Sequence, residues 1–308
     1  MDRVKLGKSP YYISRIALGT VQFGLDYGFD KMKTQHEVDS ILDCASKNGI
    51  NFIDTAREYG DSEIKLGDYI SRHKNDFIIA TKIKKISQNE VSNKNLETII
   101  LKSIEESTKA LQLKKLDVLQ LHQTDEYIIN KEAFWDTIKG LKKDNIIGAF
   151  GVSVYDIKET TDLIENHGDM IDFFQVPYNI FDRKFEELKE VLEKASISLV
   201  SRSTFLKGII PCEISELPPE LKDLKPYKEK LQKIADVLEI SVSELAMLYT
   251  YCSEHIGSML LGVNSPDDIE RNIDTIKKYK CGEIKKIDFS DISVKNIFLT
   301  DPRKWKNF

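Results

Sequence analysis

Eight times between Ile16 and Tyr279, a short unbroken apolar run gives way to a stretch with apolar residues every three or four positions. The runs are residues 16–19, 50–53, 77–81, 118–121, 149–152, 173–176, 198–200 and 259–261. Each is too short for a helix and lacks the in–out alternation of a strand with one wet face, which predicts strands buried on both faces. Between the runs, Val38, Ile41, Leu42 and Ala45 share one face of an expected helix over 34–47. Leu96, Ile99, Ile100, Ile104 and Leu111 do the same over 93–111, and further helices are expected over 63–71, 134–141, 156–165, 185–195, 228–238, 242–253 and 266–279. Eight strand–helix units in succession predict a (β/α)8 TIM barrel in the α/β class, one domain over 1–308. An open doubly wound sheet is the alternative, but its GxGxxG loop is absent. Residues 3–14, with Gly7 and Ser9-Pro10, predict an N-terminal β-hairpin, and 288–308 form a C-terminal tail whose Trp305 and Phe308 are expected to cap the barrel or line its mouth.

Composition removes several classes of function. A formal net charge of -5, with lysines dispersed among glutamates, leaves no basic stripe for nucleic acid. The first thirty residues lack a charged-then-apolar leader, and no apolar stretch reaches the ~18 residues of a membrane span. The four cysteines, Cys44, Cys212, Cys252 and Cys281, have no CxxC spacing and no histidine partner pattern; they read as free thiols in a reducing cytoplasm, with no metal site. Gly7-Lys8-Ser9 is not a phosphate loop, because Asp2 stands where such a loop needs its first glycine.

In a barrel, chemistry gathers at the carboxyl ends of the strands. Asp54 closes the second run, Lys82 the third and His122 the fourth, while Tyr59 follows Asp54 in a turn punctuated by Gly60. Alone, an Asp or His at the end of a run is more often a cap or a satisfied core group. Together the four residue types suit carbonyl reduction. An amine beside a phenol stabilises the phenolate, Asp54 holds Lys82, and His122 orients a carbonyl oxygen near the Tyr59 hydroxyl.

The segments LGTVQFG (18–24), FIDTAREYG (52–60), SEIKLG (62–67), ATK (80–82) and LQLHQ (119–123) resemble the aldo-keto reductase superfamily. So do GVSVYD (151–156), FQVPYN (174–179), SRSTFLKG (201–208) and LGVNSPDDIERN (261–272), so that the ordered set covers about 16–280. The resemblance implies a catalytic tetrad of Asp54, Tyr59, Lys82 and His122, with Tyr59 as general acid, and NADPH lying extended across the barrel mouth. It implies cofactor contacts from Thr20, Ser153, Gln175, Arg202, Ser203, Phe205, Gly208, Ser265 and Asn272. Of these, Ser153 and Gln175 would hold the nicotinamide carboxamide, the 203–208 loop the pyrophosphate, and Ser265 and Asn272 the adenosine end. The partner is then a small-molecule carbonyl, with sugars and nucleotide sugars in the expected range.

Three positions depart from the family pattern. Val154 stands where Asn often follows the carboxamide serine, and Arg202 where a tyrosine often stacks on the nicotinamide. A stacked guanidinium disfavours the cationic oxidised ring, which predicts tighter binding of reduced cofactor. Gly262 and Asp268 stand where Lys and Arg often bind the 2'-phosphate, which keeps NADH as the alternative to NADPH. Near the mouth, Arg57, Lys84 and Lys85 are candidate attractors of an anionic substrate, or ordinary solvated charges, and Phe23, Tyr27 and Trp305 are candidate pocket walls. Two rival functions are a lyase or isomerase using Lys82 as a Schiff-base nucleophile, and a cofactor-binding regulatory subunit with little turnover.

Overall fold

Parallel pairing closes around eight strands in the computed structural model, which describes residues 1–26, 31–93 and 95–306. A two-stranded antiparallel hairpin, β1 (Arg3–Lys5) and β2 (Tyr12–Ser14), precedes the barrel. The barrel strands are β3 (Ile16–Gly19), β4 (Phe52–Asp54), β5 (Ile78–Lys82), β6 (Leu116–Leu121), β7 (Ile147–Ser153), β8 (Phe173–Pro177), β9 (Ser198–Arg202) and β10 (Ser258–Gly262). Each pairs with its neighbours in chain order, and β10 closes the circle on β3 with Leu260 beside Ala17. The barrel and its hairpin therefore stand as the sequence predicts.

The two faces of each strand serve two cores. Side chains alternate along a strand, so Phe52, Ala80, Val118, Ala149, Phe173, Val200, Leu260 and Ala17 point into the barrel, where Leu6 and Ile13 from the hairpin join them. The hairpin thus plugs the amino-terminal end. Lys8 stitches it down, its ammonium donating to the carbonyls of Gly168, Ile171 and Ala195. The outward residues, such as Ile53, Ile79, Leu119, Leu121 and Phe174, meet the helices in a larger shell. Burying a Leu, Ile or Phe side chain contributes about 1.5–3 kcal/mol, so both layers hold the strands in one register.

Three expectations change. The helix expected over 93–111 begins at Leu96, where the Asn95 side chain caps it by accepting from Glu97 N, and a separate short helix, Gln88–Asn93, precedes it. Cys252 and Cys281 are joined in a disulfide, leaving only Cys44 and Cys212 free. Spacing could not show this, since the link joins the ends of two elements 29 positions apart. The free-thiol argument for a reducing compartment falls with it. Phe23 is buried in the shell between barrel and helices rather than walling a pocket. Trp305, also buried, donates its indole N–H to Phe298 O within the tail. Tyr27 and Phe308 lie outside the described residues. Among the described residues, no helix is long and apolar enough to cross a membrane, and no cluster of His, Cys, Asp and Glu is arranged to hold a metal.

Candidate active site

One layer above the apolar barrel interior, strand alternation delivers polar groups. Two residues beyond Phe52, Ala80, Val118, Phe173 and Val200 come Asp54, Lys82, Gln120, Gln175 and Arg202, and His122 lies two beyond Gln120. Gly151 makes room in this layer, since a Cβ there would lie 2.3 Å from the Phe173 ring.

Asp54, Lys82, Gln120 and Gln175 are all buried. The Lys82 ammonium donates to Asp54 Oδ2 at 2.7 Å and to Thr55 O at 2.9 Å. Asp54 Oδ1 accepts from the amides of Gln120 at 2.7 Å and Gln175 at 2.8 Å. A buried carboxylate is tolerated only when paired and hydrogen-bonded, and Asp54 is both. Tyr59 hangs over this pair, with the Lys82 ammonium 5.0 Å from its ring centroid. The His122 ring stands edge-on to Tyr59, centroids 6.1 Å apart. All four residues of the expected tetrad therefore converge on one end of the barrel.

The loop carrying Tyr59 is pinned from below. Thr20, fully buried, donates its hydroxyl to Asp54 O and accepts from Ser62 Oγ, whose oxygen lies 2.9 Å from Thr55 Oγ1. Buried Glu63 accepts from Thr81 Oγ1 at 2.6 Å and pairs with Arg57. Gly60 turns the chain at φ +53°, where a Cβ would meet Gly24 O at 2.3 Å.

Electrostatics separates the roles. Desolvation raises the Tyr59 pKa above the usual tyrosine value and outweighs Lys82, which lowers it. The lysine field expected to make Tyr59 a readier acid therefore acts against a larger opposing effect, and the phenol stays protonated at neutral pH. For Lys82, burial pulls downward, but Asp54 and then Tyr59 outweigh it, so its pKa is raised and the ammonium stays charged. A charged lysine must lose a proton before it can attack a carbonyl, which works against the Schiff-base alternative. Burial, then the fields of Lys82, Lys85 and Arg202, push His122 down to about 3. The imidazole is neutral at physiological pH, and its buried Nδ1 has no partner among the described residues.

Two of the three candidate anion attractors are already paired. Arg57 is held by Glu63 and Glu106, and Lys84 by Glu90 at 2.8 Å. Lys85 is exposed and forms no ion pair among the described residues, while its backbone N–H is anchored on Glu58 Oε1. The Arg202 guanidinium packs 3.9 Å from the Tyr155 ring centroid and donates to Val154 O at 3.3 Å. Arg303 from the tail presses on the same ring at 3.2 Å while forked onto Asp301.

The remaining expected cofactor residues lie at or after the carboxyl ends of β7, β8, β9 and β10. Ser153 pairs in register with Gln175. The 203–208 segment concentrates left-handed backbone, with φ +64° at Ser203, +48° at Leu206, +53° at Lys207 and +89° at Gly208. Such conformations cost of order 1–3 kcal/mol each at non-glycine residues and cluster where ligands are gripped. Phe205 is half-buried against the shell. Ser265 caps the helix Pro266–Lys278, which carries Asn272. Asp268 accepts from Asn264 N and faces Arg271, and a Cβ at Gly262 would meet the Gln22 amide at 2.6 Å. Ser201 Oγ, Thr204 Oγ1 and Asn264 Oδ1 are buried without partners among the described residues. Thr204 and Asn264 lie in the loops after β9 and β10, where an unspent polar group suits a polar ligand; Ser201, between inward-facing Val200 and Arg202, faces the helix shell. Sequence reasoning missed Gln120 because it sits inside an otherwise apolar run; its even spacing from Val118 and His122 is the signal that it faces inward.

Comparison with known proteins bears on this geometry. The model of the Aldo/keto reductase family matches residues 15–292. An oxidoreductase of Bacillus subtilis (strain 168), YqkF, is 26% identical over 89% of this chain and 90% of its own. The L-galactose dehydrogenase of Arabidopsis thaliana is 24% identical over 87% and 86%. Among solved structures, the holo form of aldo-keto reductase AKR11C1 from Bacillus halodurans superposes with a TM-score of 0.75 at 21% identity, covering 97% of this chain and 99% of that one.

Proposed function

The chain belongs to the aldo/keto reductase family, and from that premise we propose that it is an NAD(P)H-dependent reductase of aldehydes and ketones, formed by one domain over 1–308 and acting in the cytoplasm. The observation that carries this reading is the convergence of Asp54, Lys82, Tyr59 and His122 on one rim, with the Asp54–Lys82 pair buried beneath the tyrosine.

A reduced nicotinamide, when bound, supplies the hydride. The protein's own groups do the rest. Tyr59 enters the reaction protonated and gives its proton to the substrate oxygen, a transfer favoured once that oxygen gains alkoxide character. Lys82, kept charged by Asp54, stabilises the phenolate left behind. His122, neutral at working pH, aligns the carbonyl by hydrogen bonding rather than by proton donation. Ser153 and Gln175 would hold the carboxamide, with buried Val154 offering no amide to assist them. The strained 203–208 loop would take the pyrophosphate, including Ser203, Phe205 and Gly208, with Arg202 against the nicotinamide, Ser265 and Asn272 at the adenosine end and Thr20 behind Asp54. NADPH is the cofactor the family pattern implies. Gly262 and Asp268 leave a 2'-phosphate without a basic partner at those positions, so NADH is the alternative to test beside it. The substrates are small carbonyl compounds, sugar and nucleotide-sugar carbonyls among them.

The test is titration with NADPH and NADH followed by a carbonyl panel on wild type and Tyr59→Phe. A positioned acid contributes about 10²- to 10⁴-fold, so the variant should lose roughly that much turnover while keeping its cofactor affinity. Full turnover in Tyr59→Phe would overturn the assignment. Tight cofactor binding without turnover of any carbonyl by wild type would point to a regulatory subunit instead.

A further inference from the structure

Gln120 lies on β6 two residues below His122, fully buried, with no part in proton or hydride transfer. Its amide makes two contacts of opposite sense. Nε2 donates to Asp54 Oδ1 at 2.7 Å, and Oε1 accepts from Gln175 Nε2 at 3.1 Å. Gln175 Nε2 also donates to the same Asp54 oxygen at 2.8 Å. An ionised carboxylate can only accept, and Asp54 is ion-paired with Lys82 at 2.7 Å. The polarity of both amides follows. Turning Gln175 over would set its oxygen against the Asp54 carboxylate and the Gln120 oxygen, replacing two hydrogen bonds by two acceptor–acceptor contacts.

We propose that Gln120 is a positioning residue that locks Gln175, with both amide hydrogens spent inside the protein, so that Gln175 meets a ligand only as a hydrogen-bond acceptor. This rests on the reading that Gln175 faces the nicotinamide carboxamide. Gln175 then accepts from the carboxamide NH2 and rejects a pyridine ring whose substituent has no N–H. Asp54 is the reference point: its charge fixes Gln120 and Gln175, and Gln120 removes the freedom Gln175 would have with one acceptor alone. Asp54, which keeps Lys82 charged, thereby also orients the ring that reacts above it.

The experiment compares a reduced dinucleotide with its reduced 3-acetylpyridine analogue, in whichever phosphate form wild type binds, by calorimetric dissociation constants. The acetyl group keeps the carbonyl oxygen and replaces the NH2 by methyl. Wild type should bind the nicotinamide form at least ten-fold tighter. In Gln120→Met, close in length and apolar, the ratio should fall below about three-fold, because one Gln175 amide hydrogen stays on Asp54 while the other, no longer held by Gln120, can be given to the ligand. Circular dichroism and melting check that the variant folds, and Gln120→Leu serves if Met does not. A wild-type ratio near one overturns the proposal, as does an unchanged ratio in a folded Gln120 variant. If neither Gln120 variant folds, the wild-type ratio alone decides whether Gln175 acts only as an acceptor. Failure of both dinucleotides to bind wild type removes the nicotinamide reading itself, a result distinct from equal binding of the two.

Discussion

Replacing His122 by glutamine should make the folded protein more resistant to acid. The imidazole is pushed down from 6.5 to about 3 by burial and by the fields of Lys82, Lys85 and Arg202. Because the folded value is the lower one, the unfolded chain takes up the extra proton, so stability present above pH 6.5 is lost as pH falls toward 3. Near pH 5 the unfolded imidazole is mostly protonated and the folded one is not. Each pKa unit corresponds to about 1.4 kcal/mol, so between pH 7 and pH 5 wild type should lose ~2 kcal/mol through this residue alone. His122→Gln has nothing to titrate there. His167, also lowered by burial, is present in both proteins and cancels in the comparison. Urea unfolding of both proteins at the two pH values measures the difference directly, provided the slope with denaturant is the same. A pH 7-to-5 loss equal in the two proteins, within ~0.5 kcal/mol, would refute the claim that His122 is held neutral by its surroundings. It would also remove the reason for giving this residue an aligning rather than an acid role.

Three further outcomes follow from named contacts. Lys82→Met leaves the Asp54 charge buried without its cation, which should cost about 3–5 kcal/mol of stability; the double variant Asp54→Asn with Lys82→Met should recover a large part of it in the same urea titration. Reducing the Cys252–Cys281 link, which closes a loop of 29 positions, should lower stability by roughly 3–4 kcal/mol, and Cys281→Ser should show the same loss without responding to reductant. Asp268→Arg should move the ratio of NADPH to NADH dissociation constants toward NADPH by roughly ten-fold; an unmoved ratio would show that residue 268 does not face the 2' position.

The sequence by itself determined the barrel, because the signal is local and repeated. Eight apolar runs too short for helices, each followed by a helical stripe, admit few closures, and the strands fall within a residue or two of those runs. Asp54, Tyr59, Lys82 and His122 were legible as well, since each stands at or just beyond a strand end that the same pattern defines. Folding alone decided what those groups do to one another. Whether Tyr59 is a weaker or stronger acid depends on a contest between desolvation and Lys82 that no spacing encodes. Whether Arg57 and Lys84 are open to a ligand depended on Glu63, Glu106 and Glu90, which come near only through the packing of other elements. The Cys252–Cys281 link and the amide pair on Asp54 join residues from distant parts of the chain. Periodicity is a property of neighbours along the chain and survives without a fold; charge state and hydrogen-bond polarity belong to neighbours in space, and exist only once the barrel has closed.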